Sequence, residues 1–211
     1  IPERISALRK LMEERGYDVY MIPTDDFHQS EYVGDHFKVR EYMTGFTGSA
    51  GTAIFTKDQA GLWTDGRYFL QADKQLEGTT ITLRKMGEPG VPTIPEYLAE
   101  ALPSGGTLGV DGRVISVNTG DEYEKIAADK GGKIQYHQDL IDQIWTDRPE
   151  LSREPVFALG VEYAGETTES KLTRIREEMK KNHADKHVLT TLDDICWTLN
   201  IRGNDVEFFP L

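Results

Sequence analysis

The sequence predicts an α/β fold: a mixed β-sheet flanked by helices, followed by the start of a second, related α/β domain. Helical and strand periodicities alternate from Pro2 to Trp145. Two short apolar runs separated by Lys57-Asp58-Gln59 read as a hairpin, which puts antiparallel pairing into a sheet whose other connections are helical. Leu172, Ile175 and Met179 repeat the spacing of Ile5, Leu8 and Met12, which suggests a weak internal duplication.

Ile5, Leu8, Leu11 and Met12 fall on one helical face, so Pro2 to Arg15 is expected as a helix, with Pro2 tolerated in its first turn and Gly16 ending it. Val19 to Ile22 is a buried strand. Gly51 to Thr56 and Gly61 to Thr64 form the hairpin, and Asp65-Gly66 turns the chain. Tyr68, Phe69, Ala72 and Leu76 give Arg67 to Leu76 a helical pattern, and Thr80 to Arg84 alternates as a strand. Helix Ile94 to Leu102, strand Thr107 to Val110, helix Thr119 to Lys130, strand Lys133 to Tyr136 and a helical turn at Leu140 to Trp145 complete the first domain. Charge and proline crowd into Arg148 to Pro155. The division expected from this is residues 1–148 for the first domain, 149–155 for a linker and 156–211 for a partial second domain of the same type. In that second part Val188 to Asp194 lines up with the first strand, Tyr20 to Asp26.

With 38% hydrophobic residues, the chain has material for a core. Its apolar runs are strand-sized and none is long enough to span a membrane. A net charge of −12 argues against nucleic acid or an anionic membrane as partner, because either needs a basic face. The opening Ile1-Pro2-Glu3-Arg4 leads directly into a helix without a secretory leader, and the single Cys196 excludes an internal disulfide. A cytoplasmic location is therefore expected.

No catalytic or metal-binding residue stands out. The five histidines form no ligand pattern, and the four-residue spacing of His183 and His187 falls where a helix should end. Asp25-Asp26-Phe27-His28 places two carboxylates and an imidazole at a strand end, a pattern more often used to cap the next turn. Ser49 in Gly48-Ser49-Ala50-Gly51 lacks the spacing of a nucleophile elbow. Arg67 is the one candidate binding residue: its guanidinium suits a substrate carboxylate, and the structural alternative is an ion pair with Asp65 or with a carboxylate near Asp26.

Six stretches carry a family resemblance: Gln29 to Tyr32, Gly45 to Thr52, Trp63 to Gln71, Ile144-Trp-Thr-Asp-Arg-Pro149, Leu192 to Trp197 and Leu199-Asn-Ile-Arg-Gly-Asn-Asp-Val206. They resemble the amino-terminal region of three-domain Xaa-Pro aminopeptidases, the creatinase/aminopeptidase P group. The resemblance covers nearly the whole chain and implies two related amino-terminal domains. It implies a parent metallopeptidase that removes the residue before proline, with two divalent metals, commonly manganese, held by a carboxyl-terminal domain outside these residues. No cofactor is then expected within the chain. Peptides with proline at the second position would be the substrates, and a homodimer is implied, with this region shaping access to the site. Arg67 becomes by similarity a substrate-end or inter-subunit contact. A stand-alone binding or regulatory module, or part of a creatinase-like hydrolase acting on a non-peptide, are the alternatives. Glu207-Phe-Phe-Pro210 stands where the family commonly has Asn-Pro, which leaves the turn there open.

Overall fold

The computed structural model describes residues 1–206. Its elements in order are α1 (Pro2–Arg15), β1 (Val19–Pro23), α2 (Val39–Thr44), β2 (Thr52–Thr56), β3 (Ala60–Thr64), α3 (Phe69–Gln75), β4 (Thr82–Lys85) and α4 (Ile94–Ala101). They continue as β5 (Thr107–Val110), α5 (Val117–Asp129), β6 (Lys133–Gln135), β7 (Phe157–Ala158), α6 (Val161–Ala164), α7 (Thr168–Lys181), α8 (Leu192–Leu199) and β8 (Ile201–Arg202).

Six strands form one mixed sheet in the order β4-β3-β2-β1-β5-β6. The β2–β3 hairpin pairs Thr52 with Trp63 and Phe55 with Ala60, and β2 runs antiparallel to β1. The β1–β5, β5–β6 and β3–β4 pairs are parallel, so β2 alone runs against the other strands. Parallel strands joined by helical crossovers are covered on both faces, which explains the unbroken apolar run of β1. Tyr20 and Ile22 point into a core with Ile5, Leu8 and Met12 of α1, Met43 of α2, Phe46 just beyond it and Ala72 of α3. Val19 and Met21 point into the opposite core with Trp63, Leu98, Leu108 and Tyr123, under α4 and α5.

Local chemistry sets the element ends. Gly16, at φ 72°, takes the left-handed conformation that closes α1. Thr93 and Glu96 form a reciprocal capping box at the start of α4. The Ser116 hydroxyl accepts from Thr119 N at 3.1 Å, which starts α5 two residues earlier than periodicity alone suggests. Periodicity also misses α2, because six residues are too few to show a helical pattern.

The first six-stranded unit is closed by Ile144 to Pro149. Trp145 stacks on Tyr42 at 4.4 Å, and Arg148 lies buried with its Nη1 2.6 Å from Asp139 Oδ2 and 2.5 Å from Asp142 Oδ1. Arg148 Nε donates to the His36 carbonyl at 2.8 Å. Beyond this point α7 and α8 pack together and β7 pairs antiparallel with β8. Asn200, in the left-handed conformation at φ 52°, ends α8 and joins this part together. Its Nδ2 donates to the Glu166 carbonyl and its Oδ1 accepts from the buried Lys171 Nζ at 2.6 Å.

The expected alignment of Val188 to Asp194 with the first strand is corrected by the structure. Val188 is 78% exposed and outside any strand, while α8 begins at Leu192. Among the described residues no neighbouring strand meets this segment, and an isolated strand leaves its N–H and C=O groups unpaired. The departure expected at Glu207 to Pro210 lies outside the described residues.

Arg148→Met should lower folding stability by about 3 kcal/mol, because it strands the 5%-exposed Asp139 side chain without its nearest cation. Urea unfolding checks this, and Asp139→Asn combined with Arg148→Met should recover part of the loss.

Candidate functional site

In sheets of this kind ligands gather at the carboxyl ends of the parallel strands. Here that edge brings together the ends of β1, β3 and β5 and carries Asp25, Asp65, Arg67 and Asp111.

The corner after β3 is laced to the glycine-rich turn before β2. Thr64 Oγ1 donates to the Ala50 carbonyl at 2.7 Å, and the Tyr68 and Ser49 hydroxyls lie 2.7 Å apart. Tyr68 also meets the Phe46 ring edge-on, with centroids 5.7 Å apart. Gly48 sits where these rings converge: a Cβ there would come 2.8 Å from Tyr68 Cδ1 and closer still to Phe46. From the other side, Thr24 N and Oγ1 both donate to the Gly51 carbonyl at 2.9 Å, which ties the turn to the end of β1.

Arg67 lies on the surface of this corner, its side chain 62% exposed. Asp65 grips it in a fork, accepting from Nε and Nη2 at 2.9 Å each, while Nη1 faces Glu31 at 3.7 Å. The hydrogen bonds from Arg67 hold the Asp65 carboxyl below the ordinary carboxylate range. The arginine is thus fixed in direction but open to solvent. Thr24, Asp25, Glu31, Asp65 and Met86 line a cleft of about 370 Å³ beside it.

Asp26 is 4% exposed and accepts from His28 N at 2.7 Å and Ser30 N at 3.0 Å, so it organises the loop after β1 as a cap. Asp25 faces the clefts instead. Burial, opposed by a hydrogen bond from Asp26 N and reinforced by the Asp26 charge, pushes its carboxyl from 3.8 up to about 6. Behind it, a cavity of about 20 Å³, room for one water, separates Asp25 from Asp111, Asp139 and Arg148.

The remaining sequence candidates stay apart. His183, at φ 54°, follows the end of α7, and both His183 and His187 are exposed. Among the described residues no three His, Cys, Asp or Glu side chains converge as a metal ion requires. Sequence reasoning missed Arg40 and the Ser49–Tyr68 contact. Arg40 belongs to the short α2, and the hydroxyl pair spans 19 positions of sequence, so no local pattern signals either.

Two family models, both described as the Creatinase/Prolidase N-terminal domain, match residues 4–144 and 147–211. Aminopeptidase P2 of Arabidopsis thaliana is 42% identical over all of this chain, which covers 30% of that protein. A probable Xaa-Pro aminopeptidase P of Neurospora crassa is 42% identical over 99% of the chain and is covered to 31%. Among solved structures, an X-prolyl aminopeptidase of Caenorhabditis elegans, described as a cytosolic enzyme with a di-nuclear active site, superposes with a TM-score of 0.89. That match has 37% identity and covers 99% of this chain and 36% of the other. The chain therefore spans about a third of the length of the relatives it matches.

Asp25 binds a proton more tightly folded than unfolded, so its stabilising contribution is full below about pH 4 and is lost as pH rises through about 6. Asp25→Asn should accordingly raise the urea midpoint at pH 8. The gain should fade between pH 6 and 4, with the native and variant curves converging in acid.

Proposed function

The chain belongs to the Creatinase/Prolidase N-terminal domain family, and on that premise we propose that it is the non-catalytic amino-terminal region of a Xaa-Pro aminopeptidase. The observation that carries this reading is the end-to-end match of the chain to about 30% of aminopeptidase P relatives. The parent enzyme would remove the residue preceding proline from peptides, using a di-nuclear centre, with manganese as the expected metal, held in its remaining portion. Its location would be cytoplasmic, in keeping with the description of the C. elegans enzyme. Among the described residues no helix is long and apolar enough to cross a membrane.

Within that enzyme we assign residues 1–148 and 156–211 to two related domains joined by 149–155. Their role would be to shape the entrance to the active site and to support a homodimer. Arg67 is the residue we place at the substrate end or at the subunit contact. Two features support this: it is exposed at the carboxyl edge of the sheet, and Asp65 fixes its fork while leaving Nη1 outward beside Glu31. A guanidinium held this way loses little rotamer freedom when it meets a carboxylate.

Assaying the 211-residue chain and the longer parent with a Xaa-Pro peptide and manganese tests the assignment. Turnover is expected in the parent alone, and comparable turnover by the short chain would sink the non-catalytic reading. In the parent, Arg67→Ala should lower kcat/KM about tenfold or more, as for a lost charged hydrogen bond. Stability should stay close to that of the unmodified enzyme, because the exposed Asp65 pair contributes little. Reduced stability with normal specific activity would make Arg67 a structural residue.

A further inference from the structure

Arg40 is a buried cation with no carboxylate bonded to it among the described residues. It is 5% exposed, with Nη1 donating to the Phe46 carbonyl at 3.1 Å, Nη2 to the Gly48 carbonyl, and the Phe46 ring 4.6 Å from its Cζ. Nε has no acceptor among the described residues. Burial pushes the group down to about 10, which leaves it protonated at neutral pH. Carbonyl dipoles and a ring face soften the desolvation cost of such a charge, but they do not neutralise it.

The neighbouring hydroxyls are also short of acceptors. Ser49 and Tyr68 share one hydrogen bond of 2.7 Å, so one of the two donates and the other keeps an O–H proton with no acceptor among the described residues. Arg40, Ser49 and Tyr68 all line one cleft of about 320 Å³. Other charges in that lining are already engaged: Lys38 lies 2.6 Å from Asp35, and Glu31 lies 3.7 Å from Arg67. The cleft therefore offers the Arg40 guanidinium and one spare hydroxyl donor, set beside the negative charge of Glu41 in the same lining. Glu41 in the same wall disfavours a multiply charged anion such as phosphate.

We propose that this cleft is a binding site for a singly charged carboxylate, anchored by the Arg40 guanidinium and the Ser49–Tyr68 hydroxyl pair. The carboxylate comes either from a small free acid or from an acidic side chain or chain terminus elsewhere in the assembled protein. The site is separate from the role given to Arg67 and does not depend on it.

Crystals of the longer parent chain, grown with and without propionate, test the proposal. A carboxylate in contact with Arg40 or the hydroxyl pair is the expected result. Density present only with propionate identifies a free-acid site, whereas an Asp, Glu or terminal carboxylate of the protein present in both identifies an internal anchor. Water alone in both crystals overturns the proposal. For a free-acid site, the double variant Ser49→Ala, Tyr68→Phe keeps Arg40 in place and should weaken propionate binding about tenfold in a solution titration. Unchanged affinity would mark propionate as an adventitious additive only and overturn the proposal too.

Discussion

The carbonyl groups of residues 46 to 51 hold the working edge of this protein together. A non-helical stretch next to the core must place each backbone acceptor somewhere, and here four carbonyls recruit three parts of the fold. Arg40 of α2 serves Phe46 and Gly48, Thr64 of β3 serves Ala50, and Thr24 after β1 serves Gly51. The contact of Ser49 with Tyr68 adds the start of α3. The conspicuous glycines follow from this convergence, since a side chain at Gly48 would occupy the space of the Phe46 and Tyr68 rings.

Charge at the same edge is arranged in graded burial. Arg148 and Asp139 are almost fully covered and lock the end of the first unit, so removal of either leaves the other exposed to a desolvation cost. Arg113 bridges outward, 3.0 Å from Asp111 and 3.7 Å from Asp139. Arg67 and Asp65 complete the series in solvent, where an ion pair orients a side chain but adds little stability. Burial thus declines from Arg148 toward the surface corner, where the Arg67 side chain is open to solvent.

Residues 156–206 rely on fewer contacts. Helices α7 and α8 and the β7–β8 ladder are joined mainly through Asn200 and the buried Lys171, whose ammonium donates to the Trp197 carbonyl at 2.8 Å and lies 4.4 Å from the Trp197 ring. Val156, Phe157, Tyr163, Val188 and Leu199 all remain substantially exposed. So small a set of elements cannot cover every apolar side chain it carries.

The sequence by itself determined most element types of the first unit and the mixed sheet, because helical spacing in Ile5, Leu8 and Met12, the polar hairpin loop and the Asp65-Gly66 turn are local signals that nearest neighbours read directly. It also favoured a capping role for the Asp25-Asp26 pair, which the structure gives to Asp26, whose partners lie within four residues. The tertiary structure decided what no local pattern encodes: that Arg40 is buried beside a cleft, that Tyr68 reaches Ser49, and that Arg148 finds Asp139. It also decided that Val188 to Thr191 forms no strand, since a strand exists only where another backbone lies alongside to satisfy its hydrogen bonds. Arg67 shows the division most clearly. Its pairing with Asp65 follows from two positions of sequence, but its exposure at the sheet edge depends on how β3, β1 and the loop carrying Glu31 come together in space.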